Sequence, residues 1–505
     1  MRPVLLAAVC ATVLLSGLLS GAAVAQPFRI ALREDPDSLD PTLARTYVSR
    51  IVFAGLCDKL FDINEKLETV PQLALSYQWA DPTTLMIRLR PGVVFHDGET
   101  MDAAAVKYSL ERHLTMQGSF RRTEINVMDR VEVVDPLTVR IVLKAPSSPF
   151  VAQLTDRAGM IVSPKAAEAA GRDFGLKPVC AGPFRFVDRV PQDRITVERF
   201  PQYWDAANVK LERVTYQPIP DSSIRLANLQ AGSLELSEYI VPTDTEAVTK
   251  NPRLKLATMG SLGYQTILFN VGNGARAKSP IGRDPRVRRA FELAIDKDAL
   301  VQVVYNGLYA TTAQAIPPSS PMHLPGVRPK ARDVAAAKAL LKEAGVAVPV
   351  VVAMTVPNNP DLRQVGEIVQ SMAAEAGFDV RITAAEYASA LAAATRGEFE
   401  AFLTAWSGRV DPDGNLFGFV HSSGTLNDGK YANARVDALL EQARAVAEPG
   451  ARRALYEQAY AQTTQDLPIL YLWQQKNLVG LSARVVGFRQ VPDGMIRLQG
   501  VSLAR

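Results

Sequence analysis

The residues best equipped for chemistry crowd into one stretch, Trp406-Ser407-Gly408-Arg409-Val410-Asp411-Pro412-Asp413, which sets an indole, a guanidinium and two carboxylates close together. An arginine fork grips the two oxygens of a carboxylate or phosphate through parallel hydrogen bonds. A charge-assisted bond of this kind is worth roughly 1.5 to 3 kcal/mol net. Arg409 can instead pair with Asp411 or Asp413 and only hold its own loop. The two aspartates also open a different chemistry, acid and base catalysis on a glycoside or similar bond by an exported hydrolase. Asp411 to Asn415 sets oxygen ligands at alternate positions, as a calcium loop does, but Leu416 and Ser422 stand where such a loop needs Gly and Glu.

Other signatures fail. There is no Gly-x-Ser-x-Gly elbow and no His-Glu-x-x-His helix, and His96, His113, His323 and His421 lack metal-ligand spacing. Gly272 to Ala277 resembles a dinucleotide loop only loosely, because Lys278-Ser279-Pro280 follows where a helix should open onto the pyrophosphate. The sequence therefore asks for no catalytic residue, metal or cofactor. A formal charge of +4 against 52 acidic residues, with no long basic run, also speaks against nucleic acid as a partner.

The stretch at Trp406 follows the run Glu400 to Trp406, last strand of a β-α-β-α-β series with strands at Val350 to Val356 and Phe378 to Ile382 and helices at Asp361 to Ala376 and Tyr387 to Arg396. Such a series folds as a twisted parallel sheet. It is preceded by a strand at Thr266 to Asn270 and by a helix after Asp284-Pro285, with Val287, Phe291, Ala294 and Ile295 on one face. The first half reads as hairpins, with Leu85, Ile87 and Leu89 on one strand face and Asp135-Pro136 turning another pair. Asp102 caps a helix running to about Leu114, and a late apolar strand covers Ile469 to Trp473.

At the N-terminus, Met1-Arg2-Pro3 and an uncharged run ending in Ala23-Val24-Ala25 form a secretory signal peptide over residues 1–25, the rival being a membrane anchor. What remains exceeds the reach of one hydrophobic core, so two or more lobes are expected. Cys57 and Cys180 remain after cleavage, and in an exported chain a disulfide between them is expected, two buried thiols being the alternative.

Four ordered blocks carry a resemblance over nearly the whole mature chain. They are Pro71-Gln72-Leu73-Ala74 with Leu89 to Glu99 and Tyr108 to Arg112; Ala181 to Phe184 with Arg199 to Trp204; Asp284 to Arg288 with Ala294 to Lys297; and Asp411-Pro412-Asp413 with Tyr431-Ala432-Asn433. The chain resembles family 5 extracellular solute-binding proteins, the dipeptide, oligopeptide and nickel receptors of ABC importers. The resemblance implies an α/β periplasmic-binding-protein fold, large and type II-like, with three subdomains and a ligand cleft between two lobes. Expected boundaries are lobe I over 26–264, lobe II over 265–473, and a C-terminal segment, 474–505, returning to lobe I. It also implies a periplasmic monomer that binds a small-molecule or peptide ligand and hands it to an inner-membrane permease.

In the peptide receptors of that family, an aspartate three residues after the tryptophan corresponding to Trp406 takes the ligand's ammonium, and Arg409 stands at that position here. This exchange suggests an anionic solute. The spacing to Asp411-Pro412 is one residue short, so Asp411 can also reach an amine. Ser407 joins them as a neighbour, Trp406 is a candidate platform for the ligand, and Tyr264 lies near the crossing between lobes. Arg45, Thr46 and Tyr47 fall in a segment that borders the cleft in the family. A receptor for a metal chelate is the remaining alternative.

Overall fold

The computed structural model describes residues 28–504, so the expected signal peptide lies outside the described residues. One sheet runs through the whole molecule. At one end Val350–Pro357 pairs in parallel with both Phe378–Ala385 and Ala401–Trp406, as the alternation of strands and helices demands. Ala401–Trp406 then lies antiparallel to Leu254–Phe269, which pairs antiparallel to Ile469–Ser482. Beyond these come Leu236–Ser237, Phe28–Leu32, Arg213–Pro218, Arg194–Arg199 and Phe184–Val190.

Lobe I has two cores. In one, Phe28 and Ile30 pack with Val48, Ile51 and Phe53 of the helix Tyr47–Leu56. In the other, an antiparallel sheet of Ala74–Asp81, Thr84–Leu89, Thr138–Leu143 and Met128–Asp135 buries Leu85, Ile87 and Leu89 beneath the helix Ala103–Thr115. The period-two burial of those residues follows from the pleat, and Asp102 caps the helix by accepting from Ala105 N at 3.0 Å. In lobe II, Val352, Met354 and Val356 pack against Val365 and Val369 of the helix Pro360–Glu375. Phe291, on the helix Pro285–Ala294, meets Phe378 edge to face at 5.2 Å.

Two strands are longer than the sequence suggests. The one expected at Thr266 begins already at Leu254, and the one expected to stop at Trp473 runs on to Ser482. Their polar and glycine-bearing ends, such as Thr258-Met259-Gly260, have weak strand character alone and are extended because each strand pairs with the other. The pairing shifts register between Gly260 and Tyr264 and again between Gln265 and Thr266. The borders drawn at 264/265 and 473/474 thus fall inside continuous strands. Leu229, Ile240 and Val248 from before that border also pack into the large core of lobe II. In the C-terminal segment, Val485, Ile496, Leu498 and Val501 join the core of Phe28 and Ile30.

Cys57, just after the helix Tyr47–Leu56, and Cys180 are disulfide-bonded with Cα atoms 4.9 Å apart. The chain makes this approach through Gly182, where an added Cβ would stand 2.4 Å from the carbonyl carbon of Leu56. Because the two cysteines are separated by 123 positions, the chain-entropy gain is large, about 4 to 5 kcal/mol at most. Reduction, or replacement of both cysteines by serine, is expected to lower the unfolding free energy by up to that amount. Urea titration with and without reductant measures it, and equal midpoints would refute it.

Candidate functional site

A cavity lies where the two long strands change register, lined there by Ser261, Gln265, Gln475, Lys476 and Asn477. Lobe I supplies Arg33 and Glu34, which follow the strand Phe28–Leu32, and Arg45, Thr46 and Tyr47 at the start of a helix. Lobe II supplies Asn359 and Asp361, Tyr387, and Thr404 to Ser407. These three groups follow or end the three parallel strands at their carboxyl ends, where open α/β sheets place ligands. Tyr239, Tyr305, Tyr309 and Trp473 line an aromatic side.

Local hydrogen bonds hold the lobe I wall. Asp37 accepts from Arg45 N at 2.7 Å and from Thr46 Oγ1 at 2.8 Å, while Thr46 caps the helix by accepting from Ser49 N. Tyr47 donates to Gly494 O at 2.6 Å, tying this wall to the C-terminal segment. Arg45 reaches across the cleft, its Nη2 donating to Asp428 at 2.6 Å and its Nη1 to Thr395 Oγ1 at 2.7 Å. Both members of that ion pair are largely buried.

Ion pairs within the protein neutralise Arg33, Glu238 and Arg45 on the walls. Arg33 makes a two-pronged pair with Glu238 at 2.8 and 2.9 Å, and its guanidinium lies 4.0 Å from the Tyr239 ring centroid. Arg225 donates to the carbonyls of Ile219 and Pro220, and burial lowers its pKa. Asp361 accepts from Tyr239 Oη at 3.3 Å, and burial raises its pKa. Glu34 differs from these. Its carboxylate has no hydrogen-bond or ion-pair partner among the described residues, and burial, with Glu238, Asp37 and Glu386 nearby, pushes its pKa up to about 8 despite Arg33. Lys476 likewise makes no ion pair among the described residues.

The residues singled out from sequence divide into two sets. Arg45, Thr46, Tyr47, Trp406 and Ser407 line the cavity, whereas Tyr264, Arg409 and Asp411 do not. Tyr264 is buried and donates to Asn415 O at 3.0 Å. Arg409 lies with its guanidinium carbon 4.3 Å from the Trp406 ring centroid and its Nη2 3.5 Å from Asp156 of lobe I. Its partner is neither Asp411 nor Asp413, because Arg452 holds Asp411 at 2.6 Å through both oxygens and Arg444 holds Asp413 at 2.7 and 2.9 Å. Carboxylates so fully engaged give no support to acid-base hydrolysis. Glu34, Asp361, Tyr387 and Lys476 were not anticipated. The strand-end rule could have found Asp361 and Tyr387, but nothing local separates Glu34 from its neighbour Asp35, which pairs with Arg189 at 3.0 Å.

Each histidine is engaged structurally. His96 and His113 bond to the carbonyls of Gly182 and Met160, and burial lowers both to a pKa of about 4. His323 bonds to Ile316 O, and His421 to Ser423. Among the described residues no cluster of three or more His, Cys, Asp or Glu side chains is placed to hold a metal ion. No helix among them is long and apolar enough to cross a membrane.

Comparison with known proteins agrees with this architecture. The family model described as bacterial extracellular solute-binding proteins, family 5, middle, matches residues 68–427. The glutathione-binding protein GsiB of Pectobacterium atrosepticum is 32% identical over 488 residues, covering 94% of this chain and 93% of that protein. The protein of the same name from Salmonella typhimurium is 31% identical over 477 residues and 92% of each chain. Among solved structures, the murein tripeptide binding protein MppA of Escherichia coli superposes with a TM-score of 0.89 at 22% identity, over 96% of this chain and 99% of that one. The binding protein AgaA of A. tumefaciens R10, solved with agropinic acid, gives 0.87 at 24% identity over 95% and 99%. The chain belongs to family 5 of the bacterial extracellular solute-binding proteins.

Proposed function

We propose that this protein is the periplasmic receptor of an ABC importer for a small peptide-like solute, held by its ammonium group at Glu34, with glutathione as the first candidate. The observation that carries the reading is the unpartnered carboxylate of Glu34 on the cavity wall. A half-buried acid with no cation of its own costs more to ionise than one in water, and a ligand ammonium offsets that cost. The names of the full-length relatives, glutathione-binding proteins, support the solute class. Lys476, a cation without an ion pair on the cavity wall, can take a carboxylate. Trp406, Tyr47 and Tyr387 offer ring faces, and Thr46 and Ser407 offer hydroxyls. Arg409 acts in this reading as a brace between closed lobes and not as an anion anchor. The leader expected over residues 1–25 serves export.

Titration calorimetry with glutathione, di- and tripeptides and agropinic acid, alongside mass spectrometry of solute carried through purification, tests the assignment. Tight binding confined to solutes without an amine would overturn it.

Because Glu34 titrates at about 8 in the ligand-free protein, docking an ammonium expels its proton at neutral pH. Affinity should rise as pH climbs toward about 8, by up to about tenfold per unit, until the solute's amine itself deprotonates. Glu34→Gln should flatten that dependence and weaken binding roughly 10- to 100-fold. Calorimetry in buffers of different ionisation enthalpy reads the proton release directly, and none in the wild type would remove Glu34 from the site. Asp428→Asn tests closure, since Asp428 touches Arg45 across the cleft and is not part of the cavity wall. Loss of a buried cross-lobe pair should weaken binding about tenfold or more and leave the liganded protein more extended in small-angle scattering. Unchanged compaction would show that other contacts close the lobes.

A further inference from the structure

Beside the cavity, joined to it by the hydrogen bond from Arg50 to Ser407, four arginines converge on two acids. Arg50, Arg121, Arg157 and Arg409 have side chains 2%, 0%, 0% and 5% exposed, and their neighbours are Asp156 and Glu124. Arg50 binds Asp156 and donates to Ser407 Oγ at 2.8 Å. Arg157 is 3.3 Å from Asp156 and donates to Ala44 O at 2.8 Å, an acceptor that Arg121 also reaches at 3.3 Å. Arg121 pairs with Glu124, and Arg409 Nη2 contacts Asp156 at 3.5 Å without the alignment of a hydrogen bond.

Four guanidiniums face two carboxylates, which leaves two positive charges without a counter-charge. Adjacent pairs do not supply one. Asp413 is held by Arg444, Asp411 by Arg452 and Asp40 by Arg112, while Asp493 and Asp62 are shared by Arg497 and Lys59. A guanidinium cannot shed its proton in a protein, so the surplus has to be met by an anion or endured as repulsion. Donors are also to spare. Arg50 Nε, Arg121 Nε, Arg157 Nη2 and Arg409 Nε and Nη2 are buried with no hydrogen-bond acceptor among the described residues. Burial, with Arg121 beside it, holds the pKa of Arg157 well below the ordinary arginine value.

We propose that this cluster is a binding site for a small monovalent inorganic anion of the chloride class, formed between the lobes at Arg157, Arg121 and Arg409. Burial of all four side chains restricts the ligand to a compact ion that enters while the lobes are apart. Arg50, Arg121, Arg157 and both acids belong to lobe I, whereas Arg409 comes from the loop after the lobe II strand Ala401–Trp406. The site is complete only when the lobes meet, so anion and solute strengthen each other's binding by reciprocal linkage. Nothing in this depends on which solute the cavity takes.

Crystals of the mature chain grown with bromide in place of chloride test the site directly. An anomalous peak within hydrogen-bond reach of Arg157 and Arg409 is expected, and peaks only at the surface would overturn the proposal. In solution, chloride exchanged for gluconate at constant ionic strength should lower the melting temperature by about 2 °C or more. Arg409→Gln and, separately, Arg121→Gln should each lose that chloride-specific increment. Equal melting in both salts for the wild type would overturn the proposal, whatever the variants do.

Discussion

Two strands that pair along their length, Leu254–Phe269 and Ile469–Ser482, carry both lobes. Their ends belong to different cores, with Leu481 in the core of Phe28 and Leu470 in that of Phe291. A ladder of backbone hydrogen bonds resists stretching and shear but tolerates twist where its register shifts, and here the shifts fall at Gly260 to Tyr264 and Gln265 to Thr266. Ser261 and Gln265 sit at those shifts and line the cavity. One constraint therefore positions the site between the two lobes.

Charge organises the space between the lobes. Arg33 with Glu238, Arg45 with Asp428 and Arg409 with Asp156 place cation against carboxylate in surroundings that make isolated charge costly. Two of these pairs, those of Arg45 and Arg409, join one lobe to the other. They are formed only when the lobes are together, so they bias the conformational equilibrium as well as stabilising the fold. Groups left out of such pairing include Glu34 and Lys476 in the cavity and the surplus guanidiniums behind Ser407. The first two suit a solute with charges of both signs. The last suit an ion held by the protein.

The tryptophan loop shows how one exchange redistributes roles. Where peptide receptors of the resembling family carry an acid, Arg409 turns away from the cavity, stacks on Trp406 and approaches Asp156. Asn415 fixes that turn, accepting from Trp406 Nε1 at 3.0 Å and from Arg409 N at 2.7 Å. Gly408, at a φ of 78°, packs against Leu262, and a Cβ there would lie 2.3 Å from the Leu262 carbonyl carbon. The loop is thus pinned by its own side chains and backbone, and the acid in the cavity without a hydrogen-bond partner is Glu34, from the other lobe.

Residue patterns alone were enough for what is local. Alternating Leu85, Ile87 and Leu89, the cap Asp102, and the strand and helix alternation from Val350 to Trp406 read directly, because periodicity and capping act over a few residues. The family's cleft-bordering segment pointed to Arg45 to Tyr47, and the end of the strand Glu400 to Trp406 pointed to Trp406 and Ser407, all of which line the cavity. Tertiary structure decided the rest. The long strands exist because each supplies the other's hydrogen bonds. Arg409 faces Asp156, 253 positions away, because Asp411 and Asp413 already have Arg452 and Arg444. Glu34 is free because Arg33 is taken by Glu238. Which charge meets which depends on distances across the folded chain, and a linear pattern of residue types does not contain them.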